Sequence, residues 1–143
     1  MLIQQISVFV ENKRGRLCEV TKLLADHKID IRAISIADTV DYGILRLIVD
    51  DPGKAREALR AGGYTFTLTD VLGVAVPDSP GGLNLAVETL DRAGVAVEYV
   101  YAFLNPQKET AFVILRVSDN EAAARILREN GVHLMTNDEI TAL

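Results

Sequence analysis

The sequence is an internal duplication, and this constrains its fold more than any other feature does. One set of identities recurs at a separation of 66 residues, where Val8, Val10, Gly15, Leu17 and Leu24 match Val74, Val76, Gly81, Leu83 and Leu90. A second set recurs at a separation of 68 residues, where Leu47, Val49, Asp51, Ala55, Leu59, Arg60 and Gly63 match Leu115, Val117, Asp119, Ala123, Leu127, Arg128 and Gly131. The change in separation predicts a short insertion in a turn around Asn105–Lys108, where insertions are tolerated. A chain with such a repeat is expected to fold as two similar units.

Both halves carry the same order of predicted elements. In the first half, alternating or continuous apolar residues predict strands at 6–10, 29–36, 45–49 and 64–68, and three- and four-residue spacing predicts helices at 17–28 and 52–61. The resulting βαββαβ order predicts an α+β fold of two ferredoxin-like units with antiparallel sheets. We expect domains at residues 1–69 and 70–143. They should lie side by side, because only Thr69-Asp70 separates the last strand of one from the first strand of the other.

The two faces of each predicted sheet differ in their expected cover. The helices should cover Ile6, Val8, Val10, Ile34, Ile36, Leu45, Leu47 and Val49, and in the second half Leu72, Val74, Val76, Val100, Ala102, Val113, Leu115 and Val117. The opposite face would carry Phe9, Ile44 and Ile48, and in the second half Tyr99, Tyr101, Phe103, Phe112 and Ile114. Such an apolar face is expected to be buried. The sequence leaves open whether the same chain or a second subunit covers it.

Two glycine-containing turns are the candidate functional features. Asn12–Leu17 and Asp78–Leu83 each follow a predicted first strand and open a helix. The free backbone N–H groups of a helix start attract a carboxylate, and glycine lets a ligand approach the backbone. The side-chain oxygen of Asn12 or Asp78 would accept from an ammonium group, so each turn has the parts to hold a zwitterion. The alternative is that Asn12 and Asp78 only cap the helices.

Other functions find little support in the residue content. A net charge of −5 gives no basic surface for nucleic acid or for an anionic membrane. Cys18 is the only cysteine, His27 lies on the apolar side of a predicted helix, and His133 has no metal-ligand spacing to other residues. Asn137–Glu139 is expected to be a terminal loop. We therefore predict no cofactor, no metal site and no enzymatic activity.

The N-terminus has no signal-peptide pattern, which makes the cytoplasm the expected location.

The turns and their setting carry a family resemblance. The segments 10–17 and 76–83, together with Ile29-Asp30-Ile31 and Val95-Ala96-Val97 at the entry to each second strand, resemble those of the ACT domain, and the whole chain resembles a stand-alone tandem ACT protein. ACT domains are regulatory modules that bind amino acids and commonly pair edge to edge. The resemblance thus implies a non-catalytic regulatory protein, a homodimer, that binds a free amino acid and acts on an enzyme of amino-acid metabolism.

The resemblance also implies where the ligand sits, at the interface between ACT-like units. The first-strand turn of one unit and the second strand of its neighbour would hold it. By position these residues are Asn12, Arg14, Gly15, Arg16 and Leu17, then Asp78, Ser79, Gly81, Gly82 and Leu83, with walls near Ile36 and Ala102. The two turns differ at Arg14 and Pro80, so whether both bind stays open. A second hypothesis is a ligand-independent module that docks onto a metabolic enzyme through its aromatic sheet face.

Overall fold

The structure is a computed structural model that describes residues 2–38, 41–104 and 108–143. It divides into two compact units, which are Gln4–Thr69 and Asp70–Leu143, the latter together with the N-terminal residues up to Ile3. The predicted insertion around Asn105–Lys108 falls largely outside the described residues. None of the helices in the described ranges is long and apolar enough to cross a membrane.

The first unit has the predicted βαββαβ order. Its elements are β1 (Ile3–Glu11), α1 (Arg16–Asp26), β2 (Ile31–Asp38), β3 (Tyr42–Val49), α2 (Pro52–Ala61) and the first part of β4 (Thr65–Pro77). The strands lie in the order β2-β3-β1-β4, and β3 pairs antiparallel with both β1 and β2. The register between the central strands places Ile6 opposite Leu47 and Val8 opposite Leu45. This is the ferredoxin-like arrangement.

The second unit repeats this arrangement. Its elements are the remainder of β4, α3 (Gly82–Arg92), β5 (Val97–Ala102), β6 (Thr110–Val117), α4 (Asn120–Glu129), β7 (His133–Leu134) and α5 (Asn137–Thr141). The strand order is β5-β6-β4-β7, with antiparallel pairing throughout. The predicted α+β class and the predicted element order are confirmed in both units.

The hydrophobic core of each unit lies between its sheet and its pair of longer helices. In the first unit the core residues are Ile6, Val8, Val20, Leu24, Ile29, Leu45, Leu47, Val49, Ala55, Ala58 and Leu59. The corresponding strand positions of the second unit, among them Leu72, Val74, Leu115 and Val117, are buried in the same way. Alternation in the strands and three- to four-residue spacing in the helices therefore position the same kind of core twice.

Three residues expected under the helices are exposed instead. Ile36 is 50% exposed and Val100 is 41% exposed, and Ala102 is also exposed. All three lie on β2 or β5, each of which forms an edge of its unit's strand order. An edge strand has a neighbour on one side only, so its outer side chains receive less cover.

The opposite sheet face is buried at its centre. Ile48 and Ile114 are essentially inaccessible to solvent, as the sequence predicts for this face. The aromatic residues around them are half-buried and contact one another. Tyr99 and Tyr101 stack with their ring centroids 6.4 Å apart, and Phe103 meets Phe112 edge-on at 6.3 Å.

Three sequence predictions are wrong in detail. The strands expected at 64–68 and 71–76 form one strand, β4, because neither proline nor glycine interrupts the residues between them. The segment expected to be a terminal loop is the short helix α5, which begins with a capping box between Thr136 and Glu139. His27 is exposed at the end of α1, where its Nδ1 lies 2.9 Å from the Leu23 carbonyl oxygen.

Both α1 and α3 begin immediately after a glycine in the left-handed conformation. Gly15 has φ 91° and ψ −15°, and Gly81 has φ 88° and ψ −7°. Beyond the adjoining residues, a Cβ at either position would meet no atom within 4 Å, so the positive φ is what favours glycine there. Gly82 is different. It is buried, and a Cβ on it would lie 1.9 Å from the carbonyl oxygen of Pro77.

This contrast predicts different costs for two neighbouring substitutions. Gly82→Ala should destabilise the chain by ~3 kcal/mol, because its methyl group would collide with backbone. Gly81→Ala is the matched control and should cost about 1–2 kcal/mol, the strain of a left-handed alanine. Urea unfolding of both variants measures the difference. A loss for Gly82→Ala no larger than that for Gly81→Ala would contradict the close approach of Pro77.

Candidate functional site

The turn of the first unit is held by backbone hydrogen bonds. The N–H of Lys13 donates to the Glu11 carbonyl at 2.8 Å, and the N–H of Glu19 donates to the Gly15 carbonyl at 3.0 Å. The N–H of Asn12 donates to the carbonyl of Asp41 at 3.3 Å, which ties the turn to the start of β3. The helix cap is Gly15, and no side chain caps α1. The alternative that Asn12 caps this helix is therefore wrong.

Charged side chains surround this turn. Arg16 lies 2.9 Å from a carboxylate oxygen of Glu19 and 3.9 Å from one of Glu11, and Lys13 lies 2.8 Å from Glu11. Hydrogen bonding and attraction by Lys13, with a further contribution from Arg16, lower the pKa of Glu11. The contact with Glu19 raises the pKa of Arg16. Two cations and two carboxylates thus balance one another at the solvent-exposed end of β1.

A cavity of about 310 Å³ opens beside the turn. It lies between the end of β1, the first turn of α1 and the link from α2 to β4. Its lining residues are Phe9, Val10, Glu11, Arg16, Glu19, Gly62, Gly63, Tyr64 and Thr65. Burial raises the pKa of the Tyr64 hydroxyl above its ordinary value, and the adjacent Glu19 carboxylate adds to this effect. The cavity therefore presents a cation, two carboxylates and a protonated phenol to the same small space.

The turn of the second unit is tighter and carries fewer charges. The N–H of Asp78 donates to the Glu109 carbonyl at 3.0 Å, and the N–H of Gly82 donates to the Ser79 carbonyl at 2.9 Å. As in the first unit, the cap is a glycine and no side chain caps the helix. Asp78 is exposed and does not cap α3. The first turn is thus the one with cations, whereas the second has a single carboxylate.

The predicted site residues divide into three groups. Arg16 lines the cavity of the first unit. Gly82 is buried beneath Pro77. The remaining predicted residues lie exposed on the surface of their units, and they are Asn12, Arg14, Gly15, Leu17, Ile36, Asp78, Ser79, Gly81, Leu83 and Ala102.

The sequence reasoning missed the residues that complete the cavity. Glu11, Glu19 and Tyr64 were not among the predicted site residues, although they meet Arg16 in space. Tyr64 is distant from the turn along the chain, and no local pattern joins the two. A signal was nevertheless present in the repeat, because Arg16 and Glu19 of the first copy align with Gly82 and Leu85 of the second.

The second unit has a cavity of another character. It measures about 500 Å³ and is lined by Ala75, Thr110, Phe112, His133, Met135, Glu139, Ala142 and Leu143. Its polar feature is a contact of 2.9 Å between His133 Nε2 and a carboxylate oxygen of Glu139. Within the described residues, no group of three or more histidine, cysteine, aspartate or glutamate side chains is arranged to hold a metal ion.

Known proteins share this architecture. Protein BT0572 from Bacteroides thetaiotaomicron is 40% identical, with a TM-score of 0.93 over 100% of this chain and 98% of that chain. The ligand-free regulatory subunit of aspartate kinase from Thermus thermophilus is 19% identical, with a TM-score of 0.66 over 90% of this chain and 91% of that chain. The corresponding subunit from Thermus flavus is 18% identical, with a TM-score of 0.61 over 91% of this chain and 94% of that chain. At these lower identities the likeness is one of fold.

The sequence itself places the chain in a family. No curated protein matches it. A family model described as an ACT domain pair matches residues 1–143. The chain therefore belongs to the family of ACT domain pairs.

Proposed function

We propose that this chain is a non-catalytic regulatory protein that binds a free amino acid through its ACT-like domains, residues 1–69 and 70–143. The observation that carries the proposal is the pair of left-handed glycine turns, each of which opens a helix that no side chain caps. Uncapped N–H groups at a helix start carry partial positive charge and suit a ligand carboxylate. An α-amino acid supplies that carboxylate next to an ammonium group. The ammonium group would donate a hydrogen bond to the side-chain oxygen of Asn12 or Asp78.

The regulatory role is supported by the functions of proteins with a similar fold. The similar chains from the two Thermus species are regulatory subunits of aspartate kinase. We propose by analogy that this protein also acts on an enzyme of amino-acid metabolism.

Docking through the aromatic sheet face is the weaker alternative. The aromatic residues of that face are half-buried, and its central Ile48 and Ile114 are inaccessible. Tyr42, which contacts Phe9 on this face, is exposed. Most of the other exposed large apolar side chains lie elsewhere, as Leu17 and Ile36 do in the first unit and Leu83 and Val100 in the second. A partner that binds apolar surface would meet these residues more readily.

We further propose that two copies of the chain associate through their edge strands. β2 and β5 each have a neighbouring strand on one side only. Edge strands offer unpaired backbone groups, and natural proteins cover or protect them. Ile36 on β2 and Val100 on β5 add exposed apolar surface at these edges. A second copy that pairs with an edge would satisfy both features.

Amino-acid binding is tested by calorimetry of the full chain against each of the twenty amino acids. We expect at least one to bind, and we expect Gly15→Ala to weaken its binding. Gly94→Ala is the matched control, because Gly94 has a similar positive φ of 78° and equally open space but lies outside both turns. Each variant should lose about 1–2 kcal/mol of stability. Well-folded protein that binds none of the twenty would contradict the proposal. Equal affinities in the two variants would exclude the Gly15 turn from the binding site.

Association is tested by light scattering on purified protein. The wild-type chain should have the mass of a dimer, and Ile36→Asp should dissociate it, because a charge would enter an apolar interface. Leu85→Asp is a suitable control, since Leu85 is exposed on α3 and not on an edge strand. A wild-type mass equal to that of one chain would rule out the dimer.

A further inference from the structure

The cavity of the first unit brings opposite charges together across a small space. The Arg16 guanidinium is on one side, with Glu19 at 2.9 Å and Glu11 at 3.9 Å. Tyr64 stands next to Glu19 on the opposite wall, which the link between α2 and β4 provides. Phe9 and Val10 contribute apolar surface at the end of β1. A guanidinium, two carboxylates and an apolar wall are complementary to a small zwitterion that carries a modest side chain.

The internal repeat provides a natural comparison for these groups. At the equivalent positions of the second unit, Pro77, Gly82, Leu85 and Val132 replace Glu11, Arg16, Glu19 and Tyr64. The two units share their strand order, their core positions and their left-handed glycines, so the framework does not require the charges. The polar groups are thus a property of one copy only. This is the pattern expected when one copy of a repeat binds a ligand and the other supports the fold.

We infer that this cavity is an amino-acid site within the first unit and that the chain binds one zwitterion there. The carboxylate of the ligand pairs with the Arg16 guanidinium, and the ammonium group of the ligand donates hydrogen bonds to Glu11 and Glu19. The Tyr64 hydroxyl supplies a further hydrogen bond. This inference rests on the proposed function only in taking a free amino acid as the ligand. It places that ligand in the charged cavity of the first unit and not on the backbone N–H groups of the two turns.

The existing ion pairs do not block such a ligand. Arg16, Glu11 and Glu19 are substantially exposed, and ion pairs between exposed side chains contribute little to stability. Exchanging an intramolecular partner for a ligand group therefore costs little. Arg16 has five N–H donors in a fork, so it can hold a ligand carboxylate and keep one contact with Glu19. Both carboxylates have unused acceptor positions for an ammonium group.

The size of the cavity limits the ligand. A volume of about 310 Å³ is near the lower end for small-molecule sites. The carboxylate and the ammonium group of the zwitterion contact the polar side of the cavity. Phe9 and Val10 are then left to contact the ligand's side chain. We therefore expect amino acids with small or medium side chains to bind better than tryptophan.

The test replaces the charges of the first unit by the residues that the second unit has at the same positions. Arg16→Gly combined with Glu19→Leu should lower the affinity for the amino acid identified by calorimetry by about tenfold or more, because two charge-assisted contacts are lost. The control combines Arg92→Gly with Glu88→Leu. It removes an ion pair of 2.7 Å on α3 that lies outside the cavity, and it should leave the affinity unchanged. The wild-type stoichiometry should be one ligand per chain.

Chemical variants of the ligand give an independent readout. The N-acetyl and the carboxamide derivatives of the bound amino acid should each bind more weakly, since one removes the ammonium group and the other the carboxylate. If the double variant does not fold, Glu19→Gln serves in its place. It should lower the affinity for the ligand while it leaves the shape of the side chain almost unchanged.

The outcomes separate this inference from the proposed function. An unchanged affinity in the double variant, or two ligands per chain in the wild type, overturns the single site in the first unit and leaves amino-acid binding intact. Failure of the wild type to bind any of the twenty amino acids overturns both.

Discussion

The reversal of the chain between a strand and a helix is the constraint on which both units depend. At Gly15 and at Gly81 the backbone takes a positive φ, and this turns the chain so that α1 and α3 lie back over the sheet. Only then can helix residues such as Val20 and Leu24 join the strand residues in one core. The same corner leaves the first helical N–H groups without a side-chain cap. Fold and candidate binding feature therefore originate in the same few residues.

Duplication has allowed the two corners to diverge in different directions. In the second unit the backbone closes on itself, with the Pro77 carbonyl so near Gly82 that no side chain fits there. In the first unit the equivalent position holds Arg16, and the space beside it is a cavity with charged walls. A tighter corner stabilises the fold but leaves little room for a ligand. The open, charged corner of the first unit is the one to which we assign the zwitterion.

The sequence predicts the framework well because the framework is periodic. Alternation at Val8 and Val10 and helical spacing at Val20 and Leu24 are local patterns, and their recurrence predicts the βαββαβ order of each unit. Features that depend on tertiary position are harder to predict. The exposure of Ile36 follows from its place on an edge strand, which the alternation does not reveal. The meeting of Tyr64 with Arg16 depends on how β4 returns beside β1, and neither residue carries a local signal of the other.

A structure of the chain with its bound amino acid tests the central claim most directly. We expect the ligand in the cavity of the first unit, with its carboxylate within hydrogen-bonding distance of the Arg16 guanidinium and its ammonium group beside Glu11 and Glu19. The second unit should hold no ligand at its Gly81 turn. A ligand found at Gly81, with the cavity beside Arg16 empty, would contradict the account.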